Sequence, residues 1–148
     1  MEENDELNKK VILVDRYLFK YFNYPIRRRL KKKNKLALLV ETRCHYRLAP
    51  TIVNILYFLD DEYDFLFIGS LISVYYLKNV LPHLECYTEI LEDNDFTWVD
   101  YSNIMMSTGL YEKYEYENIF TFQTDSVLLA PLPHSTYQHD FIGPTDYM

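Results

Sequence analysis

Glycine is scarce in this 148-residue sequence, which holds 3 glycines, 2 cysteines and 1 tryptophan. So few glycines leave no G-x-G-x-x-G and no G-x-x-x-x-G-K-[ST], which excludes two familiar phosphate-cradling loops. Architectures built on repeated glycine turns are disfavoured for the same reason. Cys44 and Cys86 form no C-x-x-C and no zinc-ligand spacing, so no disulfide framework or zinc site is implied. There is no H-E-x-x-H, which disfavours a zinc hydrolase, and no G-x-S-x-G nucleophile elbow. No apolar run approaches the ~20 residues needed to span a bilayer. Residues 1–6 are acidic and polar, unlike a secretory signal, so the expected compartment is reducing and cytoplasmic.

Apolar and aromatic residues, by contrast, are plentiful. Hydrophobic residues make up 49% of the chain and tyrosine alone contributes 15 positions. That is enough apolar surface for one packed domain, and it argues against disorder of the whole chain. The net charge of −7 is unevenly spread. Residues 1–35 carry 11 of the 15 Lys and Arg but 5 of the 22 Asp and Glu; residues 36–148 carry the remainder. A basic arm at 1–35 therefore joins an acidic body at 36–148.

The arm begins acidic, continues through a short apolar run at 11–14 and an aromatic stretch (Tyr17, Phe19, Tyr21, Phe22, Tyr24), and ends in Arg27, Arg28, Arg29, Lys31, Lys32, Lys33 and Lys35. Pro25 is expected to stop any helix through the aromatics. One reading of the arm is an adaptor attracted to an anionic membrane surface or nucleic acid through residues 9–35. The simpler reading is a solvated linker. The acidic body opposes nucleic-acid binding elsewhere.

In the body, short apolar runs alternate with helical patterns. Residues 36–40, 65–68, 86–91 and 119–122 read as strands, the first apolar throughout as in a parallel sheet buried on both faces. Residues 127–130 read as a further short strand. Pro50 suits the first turn of a helix in which Ile52, Ile55, Leu56 and Leu59 share one face. Residues 71–79 form a second helical stretch, broken by Pro82. Asp100 or Ser102 is positioned to cap a third, through Ile104, Met105 and Met106, which Gly109 would end. This alternation predicts an α/β fold with a mostly parallel, doubly wound sheet. Ligands in such sheets bind beyond the carboxyl ends of the strands.

Those ends select the candidate residues. Asp125 can hold a divalent cation, since Mg²⁺ and Mn²⁺ prefer oxygen ligands, and strand alternation puts Gln123 on its side. On spacing alone, an aspartate that opens a turn is the simpler reading. Glu41 is a candidate acceptor for a base or ribose, or a loop carboxylate bonded to nearby amides. Arg43 can pair with phosphate or stack on a base; a surface ion pair is the alternative. His45, Arg47 and Cys44 accompany it, Cys44 as a buried structural thiol or, next to Arg43, a reactive one. His134, His139 and Asp140 form a second polar group that reads as solvent-exposed.

Read in order, Leu38-Leu39-Val40-Glu41-Thr42-Arg43 with His45 and Val53-Asn54, Phe67-Ile68-Gly69, Tyr101-Ser102-Asn103, Ile119-Phe120-Thr121-Phe122-Gln123-Thr124-Asp125-Ser126 and Asp140-Phe141-Ile142-Gly143-Pro144 resemble the motifs of an uncharacterised family of glycosyltransferase-like domains. The resemblance covers about residues 36–146. It implies the nucleotide-binding half of a GT-A-like fold, a nucleotide sugar as donor and a divalent metal, Mn²⁺ or Mg²⁺. Gln123-Thr124-Asp125 then stands where such enzymes carry an Asp-x-Asp motif. Asp125 is implied as the metal residue, Gln123 as its auxiliary, and Glu41, Thr42 and Arg43 as neighbours of base and ribose. The family's Ala-Pro-Trp after Ile-Gly is absent, because Pro144 follows Gly143 directly. Its glycine-rich, acceptor-side continuation is also absent, so the expectation is a donor-site half without its C-terminal half. A non-catalytic binding module of the same fold is the competing expectation.

Overall fold

A computed structural model describes residues 2–22, 34–92 and 97–138. The basic positions 27–33, residues 93–96, His139 and the 140–144 motif lie outside the described residues. Four parallel strands form one sheet: β1 (Lys35–Val40), β2 (Tyr63–Gly69), β3 (Tyr87–Ile90) and β4 (Asn118–Phe122), in the order β3-β2-β1-β4. Among the described residues five α-helices accompany it: α1 (Glu2–Phe22), α2 (Leu48–Leu59), α3 (Leu71–Val80), α4 (Trp98–Met105) and α5 (Thr108–Tyr114). The doubly wound α/β fold expected from the alternating pattern is the one observed.

Both faces of the sheet are covered, which is why β1 is apolar at every position but its first. Ala37 and Leu39 face one layer with Ile52, Ile55 and Leu56 of α2 and Val74 and Leu77 of α3. Leu36, Leu38 and Val40 face the other, where Tyr101, Ile104 and Met105 of α4 and Leu110 and Tyr114 of α5 pack. This split follows from handedness. Successive crossovers from β1 to β2 to β3 step one way across the sheet; the crossover to β4 steps back past β1. Right-handed connections in opposite directions put their helices on opposite faces.

Helix α2 is buried around nearly its whole circumference, a wider apolar surface than the single stripe read from its sequence. Leu48-Ala-Pro-Thr-Ile-Val-Asn-Ile-Leu-Tyr-Phe-Leu carries no charge because α2 lies between the sheet and α1. Leu18 of α1 is fully buried, as are Ala49 and Val53 of α2. The first part of the N-terminal arm is thus a docked helix rather than a solvated linker. Leu7, Val11, Val14 and Leu18 recur at helical spacing, and the lower end of that stripe closes on α2. The helix is described as far as Phe22, and Pro25, expected to stop a helix here, lies outside the described residues.

Three local expectations are corrected. Helix α4 is capped by Thr97, whose hydroxyl accepts from Asp100 N while the Asp100 carboxylate accepts from Thr97 N, a reciprocal capping box. Gly109 does not end that helix. The chain restarts after Ser107, and Gly109 lies in the first turn of α5. Residues 127–130 form no strand; the backbone of Leu128 is instead bonded by a side chain. Asn54, fully buried, accepts from Leu128 N at 2.8 Å and donates to Leu128 O at 3.0 Å. A carboxamide thus stands in for a strand neighbour. Among the described residues no helix is long and apolar enough to cross a membrane.

Candidate functional site

The chain reverses direction across the sheet between β1 and β4, and a cleft opens there beyond the strands' carboxyl ends. It has a volume of about 410 Å³ and is lined by Val40, Glu41, Thr42 and Arg43 after β1, Gln123, Thr124 and Asp125 after β4, and Thr97, Trp98 and Tyr101 of α4. Such a switch point is where open α/β sheets take ligands, since the two diverging connections leave a crevice between them. All five residues selected from the sequence, Glu41, Thr42, Arg43, Gln123 and Asp125, lie in this one cleft.

Each wall is held by a neighbouring helix. Glu41 N donates to Ile68 O at 2.9 Å, extending the β1–β2 ladder by one residue. Ser73 Oγ of α3 donates to the Glu41 carbonyl at 2.9 Å, and Ser70 Oγ donates to the Thr42 carbonyl at 2.8 Å. Ser70 and Ser73 also form the reciprocal cap of α3, so the helix start and the β1 exit are built from the same two hydroxyls. Gly69 makes room for this junction. A Cβ there would lie 2.8 Å from the Glu41 carbonyl oxygen. On the other wall, Thr51 Oγ1 of α2 donates to the Thr124 carbonyl at 3.3 Å. Ser126 N donates to Gln123 O at 3.0 Å, closing the turn that presents Asp125.

Gln123 and Asp125 share the cleft, but not through strand alternation. The ladder with β1 ends at Phe122, and the turn carries both side chains out to solvent while Thr124 is buried beneath them. The Asp125 carboxylate takes no part in the bonds that close the turn. Glu41 is 8% exposed and behaves as the loop-bonded carboxylate. It accepts from Arg43 N and Nε at 2.9 Å each and from Arg43 Nη2 at 3.3 Å. That hydrogen bonding raises the Arg43 guanidinium above its ordinary value. Arg43 is thereby paired within the cleft wall rather than with a remote part of the body. Arg47 points away; its Nε donates to Asp15 of α1 at 2.7 Å.

Oxygen donors from Asp125 and Gln123 fit a hard divalent ion. Among the described residues no three His, Cys, Asp or Glu side chains converge. A cation held here would have one protein carboxylate, that of Asp125, and would need further oxygen ligands from water or a bound phosphate.

Sequence reasoning overlooked Trp98. It is 78% exposed and sits one turn from Tyr101 on the same face of α4. The signal was available as Thr97-x-x-Asp100, a capping-box spacing that starts a helix on the only tryptophan in the chain. Cys44 is exposed, not buried, whereas burial pushes the Cys86 thiol up to about 11 against a smaller opposing pull from Lys78. Near neutral pH, Cys44 is expected to react with iodoacetamide at least about tenfold faster than Cys86. Peptide mapping of the alkylated chain measures both rates, and equal rates would contradict the assignment.

No protein-family model, curated protein or solved structure matches this chain.

Proposed function

We propose that the cleft binds a nucleotide sugar together with a divalent metal, and that the chain is the donor-binding part of a glycosyltransferase-like domain. The observation that carries this reading is the meeting of two sequence-distant strand ends, 41–43 and 123–125, in one crevice at the switch point of the sheet. Trp98 and Tyr101 supply flat apolar surface on which a nucleobase stacks. Thr42 and the Glu41–Arg43 pair supply donors and acceptors for ribose and phosphate. Asp125, assisted by Gln123, would hold the cation. The bound cation contributes Lewis-acid stabilisation of a departing diphosphate.

Titration calorimetry with nucleoside diphosphates tests the reading, in Mn²⁺ and again in chelator. Binding is expected only with metal, and Asp125→Ala is expected to weaken it at least about tenfold, the loss of one charged ligand. Because Trp98 is the sole tryptophan, stacking of a base is expected to quench the intrinsic indole fluorescence. Metal-dependent affinity that survives Asp125→Ala unchanged would overturn the assignment.

A second reading, a binding module without transfer activity, is favoured by the engagement of Glu41. Its three hydrogen bonds to Arg43 leave Asp125 as the cleft carboxylate outside that pair. Transfer or hydrolysis of a nucleotide sugar by the chain decides between the two.

A further inference from the structure

Helix α1 reaches the chain just beyond each of the two cleft walls, at Tyr46 and Arg47 after 41–43 and at Leu128 after 123–125. The Asp15 carboxylate accepts from Arg47 Nε at 2.7 Å and from Tyr46 Oη at 3.2 Å, in the segment after β1. The Tyr17 hydroxyl donates to the Leu128 carbonyl at 2.6 Å, in the segment after β4. That carbonyl also accepts from Asn54, so α1 and α2 hold the same peptide from two sides. Leu18, next to Tyr17, is the one fully buried side chain among the described positions of α1.

The footprint is short. Val14, Asp15, Tyr17 and Leu18 are withdrawn from solvent, whereas residues 2–13 are exposed. A helix of 21 residues is about 30 Å long, and among its described side chains the withdrawn ones lie between 14 and 18, while 2–13, Phe19 and Lys20 are exposed. Elements held by few buried contacts open at lower free energy than the core they cover.

We propose that α1 is a detachable clamp on the cleft. Docked, Asp15 and Tyr17 fix the segments after β1 and β4 in their present positions; released, α1 frees both together. The clamp stands on the contacts of α1, while its effect on a ligand rests on the nucleotide-binding reading above. Asp15 and Tyr17 are positioning residues, acting through Tyr46, Arg47 and the Leu128 carbonyl, which lie a few residues beyond the cleft walls.

Hydrogen exchange on the full chain, without ligand, tests the clamp. Tyr17→Phe, Asp15→Asn and Leu18→Ala are compared with wild type and with Leu7→Ala on the overhang, where the side chain is 59% exposed. Leu18→Ala is expected to speed exchange at least about tenfold in both 43–48 and 123–130, with β1 and β2 unchanged, the pattern of a local opening. Tyr17→Phe is expected to act on 123–130, Asp15→Asn on 43–48, and Leu7→Ala on neither. Faster exchange confined to α1 overturns the proposal, because the loops then hold without it. So does an equal rise through β1 and β2, because α1 then opens only with the whole domain. The same variants are titrated with UDP and GDP in Mn²⁺. If wild type binds and the docking variants bind equally well, the clamp has no role at the cleft. If wild type binds neither nucleotide, the functional reading fails and the exchange data still judge the clamp.

Discussion

Asn54→Ala is expected to destabilise the protein by about 3 kcal/mol, among the largest effects of any single polar substitution in the fold. Asn54 is fully buried and meets Leu128 through both its donor and its acceptor. Alanine leaves the N–H of half-buried Leu128 without its partner, and an unpaired buried group costs about 1–3 kcal/mol. The Leu128 carbonyl keeps the Tyr17 hydroxyl, so the loss is less than that of two orphaned groups. For a chain of this size the change corresponds to a fall in Tm of roughly 10 °C. Thermal denaturation reads it directly, and a loss below about 1 kcal/mol, within the range of ordinary surface substitutions, would contradict the role assigned to Asn54. Asn54→Asp separates the two bonds. It keeps the acceptor for Leu128 N–H but sets a carboxylate oxygen against the Leu128 carbonyl. Burial and that contact raise the introduced carboxyl's pKa in the folded state. The deficit is then smallest below the unfolded carboxyl value near ~4 and grows as pH rises through the folded value. A deficit that shrinks with rising pH would contradict the geometry.

Gly69→Ala is expected to cost about 2–3 kcal/mol and to weaken nucleotide binding as well. The reason is steric, because Gly69 does not have a positive φ. An added Cβ would press on Ser73 Oγ, lie 2.8 Å from the Glu41 carbonyl oxygen and lie 2.9 Å from the Phe67 ring. Ser73 cannot yield freely, since its hydroxyl donates to the same Glu41 carbonyl and accepts from Ser70 N at 2.9 Å. Relief therefore displaces the Glu41 peptide, and with it the wall of the cleft formed by 41–43. Gly109→Ala is the internal control. The nearest atom to its Cβ is Ser107 Oγ at 3.6 Å, and the position is helical, so alanine there is expected to stabilise by up to ~1 kcal/mol. Chemical denaturation of the two variants gives both signs. Comparable effects at the two glycines would sink the steric argument.

These two positions show where sequence reading stopped. The strand runs were legible because a parallel strand covered on both faces is apolar at successive positions, as at 36–40 and 65–68. The helix at 48–59 was legible from its periodicity, yet its full burial was not. A second apolar side requires a second covering element, and α1 read as an arm. The false strand at 127–130 arose because apolar content reports burial, not the identity of the hydrogen-bond partner. Nothing in a lone Asn54 announces that it pairs with a backbone 74 residues away. The cap of α4 was misread for a different reason. Asp100 and Ser102 are cap-forming residue types, whereas Thr97 with Asp100 at its third position satisfies two amides at once.

Periodicity and strand-end position, both local properties, were therefore sufficient to specify an α/β chain, its parallel strands and the residues at their carboxyl ends. They selected 41–43 and 123–125 because polar residues that directly follow a buried strand have few places to go. Tertiary structure alone decided that β4 lies beside β1, which turns two separate loops into one cleft with Trp98 on its rim. It alone decided that Glu41 binds Arg43, that Asp125 faces the opening, and that α1 ties both loops down through Asp15 and Tyr17. The physical reason is common to all of these. Each depends on which groups meet across the sheet, and such meetings are set by crossover handedness and packing, which no short stretch of sequence contains.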